Sequence, residues 1–320
     1  MTREETLAIG ALTLDCGVTL PAVEQRVTIY GWPEPDGSNV VLVEHALTGS
    51  SRAAEWWPQI AGDAGLFDPA RYCIVGINAL GSCYGSTPCA RPSVADIVRA
   101  EMRALDLLRL ERIAIVIGGS LGGMRALQWA LAAPQRVGSA VVVGAHDHQS
   151  AMGIALNALQ RDAIALDPRG GLRLARKIAM LTYKSEGLLA RRHDRRPDRH
   201  GKAGFDVEGY LEHQADQFEA RMTASSYVAL THAMDSFDVR AAKATGADPT
   251  LIFVGISSDR LFLASDVRAA ARRFTGRGFD ARYAELASDH GHDAFLAEAG
   301  ALKTLLEPLL DRKGPVPALT

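Results

Sequence analysis

The stretch Ile113-Ala114-Ile115-Val116-Ile117-Gly118-Gly119-Ser120-Leu121-Gly122-Gly123 decides how the rest of the chain is read. Its five apolar residues predict a buried strand, and Met124 to Ala130 reads as a helix. Between them lies a glycine-rich corner holding one serine. Gly118-Gly119-Ser120-Leu121-Gly122 fits G-x-S-x-G, the pattern of a nucleophilic serine on a sharp strand-to-helix turn. The glycines have a physical reason. The serine must take a strained backbone conformation, and its neighbours must be small enough for strand and helix to approach. The turn also puts backbone N–H groups at a helix N-terminus, where developing negative charge is favoured. A plain turn would use the same residues, so the reading depends on partners elsewhere.

Outward from this corner the chain alternates strands and helices. Val40 to Val43 and Tyr72 to Asn78 read as buried strands upstream. Ser93 and Asp96 form a capping box that opens a helix carrying Val94, Ile97, Val98, Leu105 and Leu108 at helical spacing. Ala140 to Gly144 is the next buried strand. Residues 1–39 alternate apolar and polar positions around turn signals at Pro33 to Gly37, as antiparallel edge strands do. Such alternation predicts an α/β fold, a mainly parallel sheet flanked by helices.

The rhythm breaks after Ala145. Met152 to Leu166, Leu172 to Tyr183 and Tyr210 to Met234 read as helices with no strand among them, and Arg191 to Gly201 reads as a charged, proline-broken loop. Strands return at Leu251 to Ile256 and Ala281 to Leu286, with helices from Val267 to Phe274 and from Asp293 to Leu310. The expected organisation is a core over residues 1–147 and 239–312, a helical lid inserted at 148–238, and a tail at 313–320.

Composition narrows the partners. Among 320 residues, 48% are hydrophobic and 22% charged, as in a globular protein, and a net charge of -2 offers no global attraction to nucleic acid or anionic membranes. No apolar run is long enough to span a bilayer, and none follows a basic start, so no signal peptide and a cytoplasmic setting are expected. Cys16, Cys73, Cys83 and Cys89 lack C-x-x-C spacing and are expected as reduced thiols.

A serine hydroxyl needs an adjacent base, itself oriented by a third group. Where this elbow occurs, the order along the chain is serine, acid, histidine. Asp259 follows the Leu251–Ile256 strand and His292 follows the last strand, so both are expected at the sheet edge that carries Ser120. His290 is the rival base. Leu121 and, after the Val40–Val43 strand, Leu47 are the expected backbone donors of an oxyanion hole. His146-Asp147-His148, with His290 and His292, offers a metal-site alternative, but a polar loop is the preferred reading and no metal is expected. The Arg191–Arg199 run is expected as a solvated loop, with contact to a cosubstrate's phosphates as its alternative. Trp56-Trp57 reads as core or pocket wall.

These residues resemble the homoserine O-acetyltransferase family of the α/β-hydrolase superfamily. The resemblance rests on His45-Ala46-Leu47-Thr48-Gly49, Gly81 to Thr87, Gly118 to Gly123, Leu174-Ala175-Arg176 with Leu181-Thr182-Tyr183, Tyr210 to Gln214, Ser257 to Phe262, and Gly291-His292-Asp293-Ala294-Phe295-Leu296. It implies a Ser120–His292–Asp259 triad and an acceptor site of Arg176, Tyr183 and Asp293. Arg176 suits an α-carboxylate bidentately and Asp293 an α-ammonium. Arg176 and Tyr183, about two helical turns apart, are able to share one face. The implied reaction carries acetyl from acetyl-CoA, a cosubstrate rather than a cofactor, through an acyl-Ser120 to the γ-hydroxyl of L-homoserine, as in methionine biosynthesis. A homodimer formed through the lid helices is also implied. The chain departs from the usual pattern at Leu121, at Thr87-Pro88-Cys89, at Leu263 and in the short stretch from Asp167 to Leu172. Relatives use succinyl-CoA, or serine as acceptor, and most proteins with this elbow are esterases or thioesterases using water; these remain alternatives.

Overall fold

Strands whose residues are apolar at every position need cover on both faces, and this is what the computed structural model, which describes residues 1–199, 201 and 204–310, contains. Eight strands form one sheet: β1 (Thr2–Thr13), β2 (Thr19–Tyr30), β3 (Val40–Glu44), β4 (Cys73–Ile77), β5 (Ile113–Gly119), β6 (Val137–Val143), β7 (Thr250–Ile256) and β8 (Ala281–Leu286). Their spatial order is β1-β2-β4-β3-β5-β6-β7-β8. From β4 to β8 the neighbours run parallel, while β1 and β2 form an antiparallel hairpin along one edge.

Successive side chains of the central strands enter opposite cores. Leu42, Val116, Val142 and Phe253 pack on one face against α3 (Val94–Leu107), α4 (Leu121–Ala132) and α10 (Ala264–Thr275). Val41, Val43, Ile117, Ile252 and Val254 pack on the other against α1 (Ala53–Trp56), α2 (Pro58–Ala61) and α12 (Ala299–Leu310). Ser93 accepts from the Asp96 N–H, and the Asp96 carboxylate accepts from the Ser93 N–H, completing the expected capping box.

Between β6 and β7 lie α5 (Ala151–Leu166), α6 (Pro168–Tyr183), α7 (Glu186–His193), α8 (Asp206–Glu219) and α9 (Ala224–Ser236), with no strand among the described residues. Its two ends meet, since His148 bridges to Asp238 and the Gln149 N–H donates to Phe237. Sequence expectations change here and at the C-terminal end. The single helix expected from Tyr210 to Met234 is two, because Thr223 caps a new helix by accepting from the Ser226 N–H. The expected loop from Arg191 begins inside α7, which Ser185 caps through the Leu188 N–H. The helix expected from Asp293 to Leu310 is a 3-10 turn (Gly291–Asp293), then α11 (Ala294–Ala297), then α12, separated by the non-helical Glu298. The expected tail at 313–320 lies outside the described residues.

Candidate active site

Only Ser120 separates β5 from α4, and it makes the turn with φ +58° and ψ −125°. A non-glycine residue held at positive φ costs on the order of 1–3 kcal/mol, which the surroundings must offset. They do so by close packing. The Ser120 N–H donates to the Val143 carbonyl of β6 at 2.9 Å, and a Cβ on Gly122 would lie 2.1 Å from the Glu44 carbonyl oxygen. Leu121 opens α4, so its N–H belongs to the first turn, which has no intrahelical acceptor.

Asp259 and His292 come together from loops after β7 and β8. His292 Nδ1 lies 2.7 Å from Asp259 Oδ2, and both residues are buried. The other carboxylate oxygen accepts from the N–H groups of Leu261 (2.8 Å) and Phe262 (3.0 Å), so Asp259 is fixed on both sides. Phe262, Phe295 and Tyr183 surround the imidazole at ring-centre distances of 5.4, 5.8 and 5.6 Å. Burial disfavours the imidazolium, but the charge and hydrogen bond of Asp259 outweigh it. Asp293 adds to that effect and Lys184 subtracts, so the His292 pKa stands above the ordinary histidine value. With Nδ1 held, Nε2 is the nitrogen left for proton transfer. His290 does not share this role: its Nε2 lies 3.9 Å from Asp289, and its Nδ1 is buried without a hydrogen-bond partner among the described residues.

Ser120 and His292 line one cavity of about 220 Å³, together with Leu47, Arg176, Tyr183 and Asp293. The Arg176 guanidinium is buried and forms no ion pair among the described residues. It lies 5.0 Å from the Phe218 ring centre and 5.8 Å from that of Tyr183, its Nη2 reaches Gln214 only at 3.5 Å, and its Nε has no partner among the described residues. A buried cation so weakly satisfied has hydrogen-bonding capacity left for an anion. Burial pushes the Tyr183 phenol up to about 12, Arg176 opposing and Asp293 assisting, so it remains a donor at neutral pH.

Two residues, one beside a cavity residue and one lining the cavity, carried no sequence signal. Lys184 Nζ lies 2.8 Å from Asp293 Oδ2, so the acid expected to meet an ammonium already meets one. Arg221, just past the end of α8, lines the cavity and donates through Nη1 to the Thr48 carbonyl at 2.8 Å. The helical segment presses on the histidine loop as well. Gly291 has φ +69°, and a Cβ there would lie 2.6 Å from the Tyr183 carbonyl oxygen, while the Ser185 hydroxyl donates to the Asp289 carbonyl.

Of the remaining sequence candidates, only Trp56 lines this cavity among the described residues. Ligand atoms of His146, Asp147 and His148 fall within 4.8 Å of one another, without His290 or His292. Arg273 holds both Asp147 oxygens, at 2.7 and 2.8 Å, which makes the cluster an ion pair before it is a ligand set. In the basic run, Arg191 pairs with Asp289 and Arg199 pairs bidentately with Asp206, both through largely exposed side chains. Trp57 is core and Trp56 is cavity wall. A larger recess of about 660 Å³, lined by Met152, Leu156, Leu181 and Leu189, holds none of Ser120, Asp259 and His292.

Comparison with known proteins agrees with this architecture. The family model of the α/β hydrolase fold matches residues 39–299. The homoserine O-acetyltransferase of Deinococcus radiodurans is 41% identical over 304 residues, covering 90% of this chain and 86% of that protein. This chain belongs to the homoserine O-acetyltransferase family. Another member, from Caulobacter vibrioides, is 37% identical over 350 aligned positions, covering 93% and 92%. The crystal structure of the Staphylococcus aureus homoserine O-acetyltransferase superposes with a TM-score of 0.85 at 27% identity, over 99% of this chain and 98% of that one. Family membership makes the chain an acyltransferase acting on small molecules. No helix among the described residues is long and apolar enough to cross a membrane.

Proposed function

We propose that this member of the homoserine O-acetyltransferase family transfers acetyl from acetyl-CoA to the γ-hydroxyl of L-homoserine, using Ser120, His292 and Asp259. His292 Nε2 takes the Ser120 proton as Oγ attacks the thioester carbonyl. The N–H groups of Leu47 and Leu121 receive the oxyanion, the C–S bond breaks, and CoA leaves with the proton from His292. Homoserine then enters, gives its hydroxyl proton to His292 and attacks the acetyl-enzyme. The ester departs and Ser120 recovers its proton.

The observation that carries this reading is the buried Arg176 guanidinium, without a carboxylate partner among the described residues, in the cavity that Ser120 and His292 share. A hydrolase that uses water needs no such cation, whereas an α-amino acid brings a carboxylate to fill it. Asp293, after release from Lys184 or through its second oxygen, takes the ammonium. The segment 148–238 acts as a lid over the core parts 1–147 and 239–312, and its contacts with the histidine loop support that role. Keeping water from the acetyl-enzyme is the work such a lid does. The enzyme is cytoplasmic, serves methionine biosynthesis, uses no metal or cofactor, and is a homodimer through α5 and α6.

Release of CoA from acetyl-CoA, with and without L-homoserine, tests the reading. Release that accelerates only with the amino acid is expected, and equal release without it establishes a thioesterase. Faster turnover with succinyl-CoA or L-serine would reassign the donor or acceptor.

A further inference from the structure

The residue preceding the oxyanion loop is a fully buried histidine that the catalytic reading leaves unused. His45 Nε2 accepts the Ala79 N–H at 2.9 Å, and its Nδ1 lies 2.7 Å from the Ala46 carbonyl oxygen. A backbone N–H only donates, so Nε2 carries no proton. The single proton of a neutral imidazole is then on Nδ1 and points at Ala46. Burial and the nearby Arg125 charge push the His45 pKa down to about 3, so the ring stays neutral at any working pH. Arg125, on α4, holds the residue from the other side by donating to the His45 carbonyl at 3.1 Å and to the Ile77 carbonyl at 3.0 Å.

The Ala46 carbonyl and the Leu47 N–H belong to one planar trans peptide, so they point in opposite directions. Fixing the carbonyl on His45 Nδ1 therefore turns the Leu47 N–H away from His45, and Ala46 and Leu47 both line the Ser120 cavity. The Gly49 N–H, donating to the same carbonyl at 3.0 Å, closes the turn.

We propose that His45 is a positioning residue that aims the Leu47 N–H at the oxyanion formed on Ser120. The inference rests on the acyl-enzyme reading above. His45 locked in one tautomer staples the loop to Ala79 with one nitrogen and orients its first peptide with the other.

Three variants separate the two bonds. His45→Asn retains a donor near Nδ1 and loses the acceptor for Ala79. His45→Gln retains an acceptor near Nε2 and loses the donor to Ala46, and His45→Ala loses both. Losing one oxyanion donor slows reactions about 100- to 1000-fold, so misaiming one is expected to slow single-turnover CoA release by about 10- to 100-fold in the Ala and Gln variants. The Asn variant recovers most of the rate, and the KM for homoserine is unchanged in all three. Equal recovery by Asn and Gln, or rates that simply follow melting temperature, would overturn the inference.

Nitrogen-15 NMR of the unaltered enzyme needs no variant to fold. It is expected to show the His45 proton on Nδ1 and no titration between about pH 5 and 8. A proton on Nε2, or a midpoint in that range, would overturn the inference. Ser120→Ala keeps the two readings apart. Turnover surviving in that variant removes the acyl-enzyme, whereas an inert Ser120→Ala beside a fully active His45→Ala removes only the role of His45.

Discussion

His292 sits between an acid that raises its pKa and a lysine that lowers it, so its titration reports on both. In the proposed mechanism the base form takes the Ser120 proton, so activity is expected to fall as pH drops through a pKa that stands above the ordinary value of 6.5. Removing the Lys184 charge with Lys184→Met is expected to move this acid limb of kcat to higher pH. Asp259→Asn is expected to move it to lower pH and to cut kcat by about 10³- to 10⁴-fold, because the imidazole also loses its tautomer and orientation. A pH–rate profile of each variant checks the two opposite signs, and shifts in the same direction would break the assignment. Arg176→Leu is expected to raise the KM for homoserine about 10- to 100-fold, the worth of one charge-assisted contact, while leaving acetylation of Ser120 intact. Arg176→Lys restores little, since an ammonium lacks the planar fork. The positions of Ser120, Asp259 and His292 after strands were legible in the sequence because strand ends and chain order constrain them. Lys184 and Arg221 were not legible. Lys184 reaches Asp293 and Arg221 reaches the cavity, each through a side chain beyond a helix end, and a helix end has no periodicity that says where the next side chain goes.

The corner between β5 and α4 shows how an element specifies a site. Gly122 lies against the Glu44 carbonyl of β3, and a methyl group at 2.1 Å from backbone cannot be accommodated by a rotamer change. Gly122→Ala is thus expected to push α4 off the sheet, destabilising the fold by about 1–3 kcal/mol and misplacing Ser120. Denaturant unfolding checks the first effect and single-turnover CoA release the second. At the other side of the cavity, Ser185→Ala removes the cap of α7 and the bond to Asp289, and about 1 kcal/mol of stability is expected to go with the cap. The central parallel strands were readable because short, nearly unbroken apolar runs have few alternatives. The boundaries of α7, α8 and α9 were less so. Their apolar residues continue in helical register across Ala220 to Thr223, and the break comes from a single threonine cap that periodicity does not reveal. Asp167-Pro168, by contrast, was an available start signal, an N-cap with proline after it, for a helix expected only from Leu172.

At the scale of the whole molecule, the sheet satisfies its own apolar faces and the helical segment does not. Met152, Leu159 and Leu166 recur every seven residues on α5, as Leu174 and Leu181 do on α6, and all five are exposed, Leu166 to 90%. Residues seven apart lie on one side of a helix, so the two packed helices present two apolar stripes to water. The recess lined by Met152, Leu156, Leu181 and Leu189 continues that surface. Large contiguous apolar patches on soluble chains mark association sites, and a second copy offers the matching stripes through two-fold symmetry. Sedimentation of the unaltered protein is expected to give twice the chain mass. Leu166→Asp combined with Leu174→Asp is expected to give the single chain, with circular dichroism unchanged because both side chains already face solvent in the isolated fold. Loss of the dimer would also loosen α6, which carries Arg176 and Tyr183, so the KM for homoserine is expected to rise while Ser120 still reacts with a fluorophosphonate probe. A protein that sediments as one chain before any substitution would assign these stripes to something other than self-association.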